Sequence, residues 1–231
     1  MKILLTLCLS LFLVYAQKIP DTKQLLVVRT KNWSTPNGQL QCYEKKGDRW
    51  HKVGNEIHIK LGRNGLGWGR GLHTIPNNAK YVKKEGDGKA PAGIFQLKQA
   101  FGYQSFVIKY PYEVYRSTDH CVDDIHSKFY NKIVDSRKIK ADYKSFEHMK
   151  FPKDYYKYGI VVNHNHIDEE GAIKGAGSCI FIHIKNVPTA GCTVMNESEM
   201  KEIIKWLDAE SEPLLVQGTE DVVNDLMKEI K

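Results

Sequence analysis

Proline, cysteine and long hydrophobic runs are all scarce in this chain, and each scarcity excludes something. The 231 residues hold eight prolines, none gathered with serine into a linker, and no segment recurs, which argues against tethered domains or a repeat array. The length fits one domain able to fill its own core without metal or disulfide staples. The apolar run from Ile3 to Tyr15 falls short of the roughly 20 residues that a bilayer-crossing helix needs. Recognition helices, zinc-finger spacing and aromatic RNA-binding motifs are missing too, so the formal charge of +7 does not signal nucleic acid. The lysines are spread along the whole chain, most densely at Lys80, Lys83, Lys84 and Lys89. On a secreted protein that charge suits anionic cell-wall polymers or plain solubility.

The opening stretch MKILLTLCLSLFLVYAQ has a lysine, then the apolar run, then Val14 and Ala16 at the small-residue positions of a cleavage site. This is the pattern of a secretory signal peptide cut after Ala16. The chain thus divides into a signal peptide, 1–16, and one mature domain, 17–231. That domain is expected outside the cytoplasm, in the periplasm, cell wall or medium, as a monomer with no stable membrane insertion after cleavage. Cys8 leaves with the signal peptide. Cys42, Cys121, Cys179 and Cys192 remain, and in an oxidising compartment they allow three ways of pairing fully. Two structural disulfides is the plain expectation. If Cys192 works as a free thiol, at least one of the other three also stays unpaired.

What is present reads as mainly β. Twelve tyrosines, frequent Val, Ile and Gly, and turn signals about every ten residues favour short strands. These are expected at Gln24–Thr30, Gln39–Lys45, Glu56–Leu61, Gly93–Leu97, Tyr158–Asn163, Ser178–Ile184 and Leu214–Gln217. Two helices interrupt them. Asn196 with Glu199 forms a capping-box pattern ahead of the apolar stripe Met200, Ile203, Ile204 and Leu207. Val222, Val223, Leu226, Met227 and Ile230 make the stripe of a C-terminal helix. The segment GRNGLGWGRGLH (Gly62 to His73) suggests a phosphate loop, but no helix pattern follows and no Lys-Ser or Lys-Thr pair closes it. Its glycines predict a twisted hairpin or close backbone packing instead.

Two groups of residues could carry chemistry. HNH, His164 to His166, has imidazoles at spacing two on one face, and with His183 and Cys192 it gives a conceivable zinc set. The other is FIHIKNVPTAGCTVM, Phe181 to Met195. SCIFIHI is apolar on both faces, so His183 must find a buried hydrogen bond or face an open site. Cys192 follows the turn-forming PTAG and precedes a capped helix. A thiol so placed is expected to be exposed, to feel the helix dipole and to lose its proton to a neighbouring imidazole. Gly191 allows a tight turn whose amides can face an oxyanion.

The blocks GDGKAPAGIFQLKQAFGY (Gly86 to Tyr103), CVDDIHSKFYN (Cys121 to Asn131), GSCIFIHI and PTAGCTVM, in that order, resemble the L,D-transpeptidase (YkuD-like) catalytic domain, a family of peptidoglycan-modifying cysteine enzymes. The resemblance implies a β-sandwich of two sheets around a cleft, with short peripheral helices and a C-terminal helix. It implies Cys192 as nucleophile, His183 as base, and Gly191, Thr189 and His164 on the oxyanion and substrate side. It also implies peptidoglycan stem peptides as substrate and neither metal nor organic cofactor. The family usually has Ser-His or Thr-His before Gly-Cys and often an arginine two residues after it, where this chain has Thr189, Ala190 and Val194. The His-to-Cys interval is shorter than the commonest one. Attack on the donor stem needs only thiolate, imidazole and oxyanion amides, so that half-reaction is the safer expectation. Hydrolysis of the same acyl-enzyme by an L,D-carboxypeptidase or amidase is the alternative within the mechanism. A wall-binding module with Cys192 in a disulfide and a zinc amidase using His164, His166 and His183 are the alternatives outside it.

Overall fold

The computed structural model describes residues 19–166 and 171–230, and the expected signal peptide lies outside them. Among the described residues no helix is long and apolar enough to cross a membrane. The strands are β1 (Gln24–Thr30), β2 (Asn37–Lys46), β3 (Arg49–Lys60), β4 (Leu66–Trp68), β5 (Ala90–Gly102), β6 (Tyr112–Val114), β7 (Asp119–Val122), β8 (Ile133–Asp135), β9 (Phe146–His148), β10 (Tyr158–Val162), β11 (Phe181–Ile184), β12 (Thr193–Met195) and β13 (Leu214–Thr219). The helices are α1 (Glu197–Trp206) and α2 (Glu220–Met227).

The chain is mainly β, as its composition suggests, but the main sheet does not stand as two separate layers. It runs β10-β11-β12-β3-β2-β1-β13-β5, and β5 pairs back onto β10. Strand β5 makes the closure possible through its length: Gly93 to Gln96 pair with β13, and Leu97 to Gly102 pair with β10. Closure satisfies backbone groups that an open sheet would leave along its edges.

Every strand of the ring contributes to one apolar cluster, which identifies the interior. It includes Leu26, Leu40, Ile59, Phe95, Ile160, Ile182, Met195 and Leu215. Each such fully buried side chain contributes about 1.5–3 kcal/mol. Helix α1 inserts Met200, Ile203 and Ile204 into the same cluster. Its start is fixed by the expected capping box, in which the Asn196 N–H donates to Glu199 Oε2 at 3.1 Å. The alternate residues Leu25 and Val27 of β1 instead join Ile94, Val216 and the α2 residues Val223 and Leu226. Strand β1 is therefore buried on both faces, which explains its unbroken run of apolar residues.

The glycine-rich segment is a close-packing device. A Cβ at Gly71 would lie 2.1 Å from the Ile94 carbonyl oxygen, and one at Gly93, where φ is +142°, would strike the His73 ring at 1.8 Å. Outside the ring, β8, β7 and β9 form a small antiparallel sheet. A disulfide from Cys121 on β7 to Cys179, just ahead of β11, ties that sheet to the ring.

Candidate functional site

The site grows out of the parallel pairing of β11 with β12, which sets Ile182 level with Thr193 and His183 level with Val194. Ile182 points into the ring interior, so the two-residue period turns Phe181 and His183 the other way. Cys192 immediately precedes β12, and the Phe181 N–H donates to its Sγ at 3.4 Å. The Cys192 thiol in turn donates to the Cys179 carbonyl at 3.6 Å. Cys192 and His183 line one cavity of about 460 Å³, shared with Glu85, Asp123, Glu147 and Tyr156 among others.

His183 Nδ1 lies 3.2 Å from the Tyr155 carbonyl and 3.2 Å from the Ile184 carbonyl. Two carbonyl acceptors require Nδ1 to carry the proton, which leaves the Nε2 lone pair as the basic position. The Tyr156 ring meets the imidazole edge-on at 4.7 Å. Burial pulls the imidazole down to about 4, so it is neutral through the ordinary pH range.

The expectation of an exposed, acidic thiol is corrected. Cys192 is 6% exposed. Burial first, and the charge of Glu147 second, push its thiol up. The helix that was to lower it begins only at Glu197, with β12 between the two, beyond the reach of a dipole confined to the first turn. The resting pair is thiol and neutral imidazole. The other sulfurs are accounted for by the Cys121–Cys179 disulfide and by a free, buried Cys42. Cys192 is itself free, so the wall-binding alternative loses the disulfide on which it rested.

Thr189 and Gly191 shape the turn that carries the thiol. Thr189 Oγ1 accepts from the Gly191 N–H at 3.1 Å and donates to the Cys192 carbonyl at 2.6 Å. The Thr189 backbone is tied to Leu61 and Arg63 at 2.9 and 2.8 Å. Both residues line the cavity, but the Gly191 amide already has a partner. His164 lies elsewhere. It is 1% exposed, its Nδ1 accepts from the Arg70 N–H at 3.2 Å, and its Nε2 reaches the Ala176 carbonyl at 3.1 Å. Burial, then the nearby Lys83 charge, pulls it down to about 3. His166 turns to the Asn131 carbonyl. The structure thus brings Cys192, His183, Gly191 and Thr189 onto one cavity, whereas His164 does not line it. It does not gather His164, His166 and His183 as one donor set, and among the described residues no His, Cys, Asp or Glu group is arranged to hold a metal.

Glu85, Asp123 and Glu147, and the Tyr155 carbonyl that orients the His183 ring, were not singled out from sequence. Glu147 lies on β9 and Asp123 directly follows β7, and nothing in their local sequence marks them.

No family model matches the chain, and no curated protein matches it. Among solved structures, Bd1075 from Bdellovibrio bacteriovorus is similar at 12% identity over 90% of this chain and 55% of that one, with a TM-score of 0.39. The helical cell shape determining protein Pgp2 from Campylobacter jejuni is similar at 14% identity over 86% of this chain and 48% of that one, with a TM-score of 0.43. The chain spans about half the length of these solved structures.

Proposed function

We propose that this protein is an extracytoplasmic cysteine acyltransferase of the L,D-transpeptidase type, acting on peptidoglycan stem peptides. The observation that carries the reading is the opening of Cys192 and His183 onto one cavity, with His183 Nδ1 tied to two carbonyls so that Nε2 is the basic nitrogen. The four sequence blocks that resemble the family supply the substrate class. The Cys121–Cys179 disulfide supports an oxidising compartment. In this reading the closed ring is a variant of the family's two-sheet fold.

Because the resting thiol is protonated, His183 Nε2 takes its proton as Sγ attacks the amide carbonyl carbon, rather than beforehand. The C–N bond of the tetrahedral species then breaks, the imidazolium returns the proton to the departing amine, and a thioester remains on Cys192. An amine from a second stem would resolve it into a new peptide bond, and water into a carboxylate. One observation favours water. Val194, where the family often has arginine, is completely buried and offers an acceptor stem no charge.

The test is to give the mature protein tetrapeptide-bearing muropeptides, follow release of the terminal amino acid, and look for the acyl-thioester by intact mass. Release together with a Cys192 adduct is expected. Release that persists in Cys192→Ala, or that stops with a chelator and returns with zinc, would sink the reading.

A further inference from the structure

The turn that carries Cys192 leaves one need of acyl transfer unmet. Attack on a carbonyl puts negative charge on its oxygen, and fixed donors aimed at that oxygen are worth most where water is excluded. The Gly191 N–H, which the turn would offer, is taken by Thr189 Oγ1. A buried cation stands beside it. Lys83 is 5% exposed and lines the same cavity as Cys192 and His183. Its stem passes two residues that have no side chain: a Cβ at Gly177 would lie 3.2 Å from Lys83 Cε, and one at Gly191 3.8 Å from the same atom. Asp87 fixes the ammonium, since its Oδ1 accepts from Nζ at 2.6 Å while the carboxylate itself takes the Lys89 and Lys84 N–H groups at 2.9 and 2.8 Å. The Lys84 carbonyl accepts a second Nζ hydrogen at 2.7 Å. An ammonium has three donors, so the third is left for an acceptor in the cavity.

We propose that Lys83 is a catalytic residue, whose remaining ammonium N–H donates to the oxyanion of the tetrahedral species formed on Cys192. The identity of the amide attacked rests on the function proposed above; the role of Lys83 holds for any acyl group that Cys192 accepts. As Sγ bonds to the carbonyl carbon, the thiol proton passes to His183 Nε2 and the π pair of the carbonyl moves onto its oxygen. Lys83 keeps its own proton and supplies a charge-assisted hydrogen bond. When the bond to the leaving group breaks, the pair returns to the carbonyl and the imidazolium proton goes to the departing atom. The same charge already acts on the resting thiol. Burial and then Glu147 push that thiol up, and the Phe181 N–H and Lys83 work against them.

The experiment measures single-turnover acylation of Cys192 by two donors, a tetrapeptide-bearing muropeptide and p-nitrophenyl acetate, whose ester needs no recognition of a stem peptide. Lys83→Met keeps the stem and removes the charge, whereas Asp87→Asn breaks the same ion pair and keeps the ammonium. The double variant leaves no unpaired charge in the loop, which guards against a failure to fold. Lys83→Met and the double variant should acylate about a hundred- to a thousandfold more slowly with both donors, the cost of a lost oxyanion donor, and Asp87→Asn should lose far less. Muropeptide affinity of Cys192→Ala should not change when Lys83→Met is added, because the oxyanion exists only after attack. Equal losses in Lys83→Met and Asp87→Asn would mark a structural role and overturn the proposal, as would a loss of affinity large enough to explain the slower rate. Slow acetylation of Lys83→Met, in a protein whose unaltered form turns over no muropeptide, keeps the role of Lys83 and removes the stem-peptide reading. Muropeptide turnover at an unchanged rate in Lys83→Met does the reverse. A Cys192 that neither donor acylates overturns both.

Discussion

Two free thiols are hidden almost equally in this molecule, and their regions differ in everything else. Cys42 on β2 is 7% exposed and belongs to the ring interior, where burial alone pushes its thiol up to about 12. Cys192 is 6% exposed, yet it borders a cavity, takes an N–H from Phe181 and shares its surroundings with an imidazole and a carboxylate. Burial therefore does not set the two apart. What does is that an imidazole and an open volume lie on the Cys192 side of the sheet, and the proposed chemistry rests on that. On β11 that side is set by the two-residue period, which sends Ile182 inward and His183 out.

The contrast breaks first by exchanging the thiols' fates. Cys192→Ala should remove turnover to below detection. Cys42→Ala should leave kcat unchanged while lowering stability by about 1 kcal/mol, the scale of one small buried group. Amino-acid release and denaturant midpoints separate the two. Loss of kcat in Cys42→Ala would mean that the two regions are not independent.

His183→Ala should reduce kcat by roughly a hundred- to ten-thousandfold, the usual cost of a missing general base. The pH profile sharpens this. A base works unprotonated, and burial lowers His183 from 6.5 to about 4, so its acid limb in kcat/KM should fall near pH 4. A limb at the ordinary histidine value that vanishes in His183→Ala would mean the ring is solvated in the working enzyme. The same shift makes the fold acid-labile. His183 and His73 at about 4, with His164 at about 3, bind fewer protons folded than unfolded. Their contribution is complete above about pH 6.5 and is lost as pH falls through those lower values.

Legibility in the sequence divides along the same line as the two thiols. Strand β1 was expected with its observed bounds, and both helices were readable, because long apolar runs and stripes record packing against a large interior. Strands β7, β8 and β9 are three or four residues long, too short for any alternation to register. They carry the disulfide, and Asp123 and Glu147 travel with them. The pair Cys192 and His183 could be picked out because both lie in one stretch around a turn. Their protonation could not, since the burial that governs it comes in part from Tyr155 and Tyr156, both distant from Cys192 along the chain. His164 misled for the opposite reason, as its spacing to His166 suggests a ligand while its ring nitrogens serve Arg70 and Ala176.

The disulfide tests whether the small sheet is an accessory of the site or of the whole fold. Replacing Cys121 and Cys179 together by alanine should cost about 2–4 kcal/mol, seen as a lower melting temperature. It should also raise KM, because the Cys179 carbonyl that receives the Cys192 thiol and the sheet that brings Glu147 are no longer tied together. An unchanged KM would show that the ring alone holds the cavity in shape.

The smallest effect separates the two regions most cleanly, because two buried threonine hydroxyls lie close in sequence on opposite sides of the sheet. Thr189 Oγ1 closes the turn around Gly191 and Cys192. Thr193 Oγ1 donates to Gln217 Oε1 at 2.8 Å, and Gln217 Nε2 donates to the Pro91 carbonyl at 2.7 Å, a network wholly within the ring. Thr189→Val and Thr193→Val keep shape and remove one hydroxyl each, so Thr193→Val, which loses one hydrogen bond, should cost about 1 kcal/mol of stability and Thr189→Val, which loses two, about 2 kcal/mol. Their kinetics should diverge. Freed from its clamp, the turn lets Cys192 leave the line of attack, so Thr189→Val should lower kcat several-fold and Thr189→Ser should restore it. Thr193→Val should melt earlier at an unchanged kcat. If both variants lower kcat alike, the thiol's position depends on the ring as a whole rather than on its own turn.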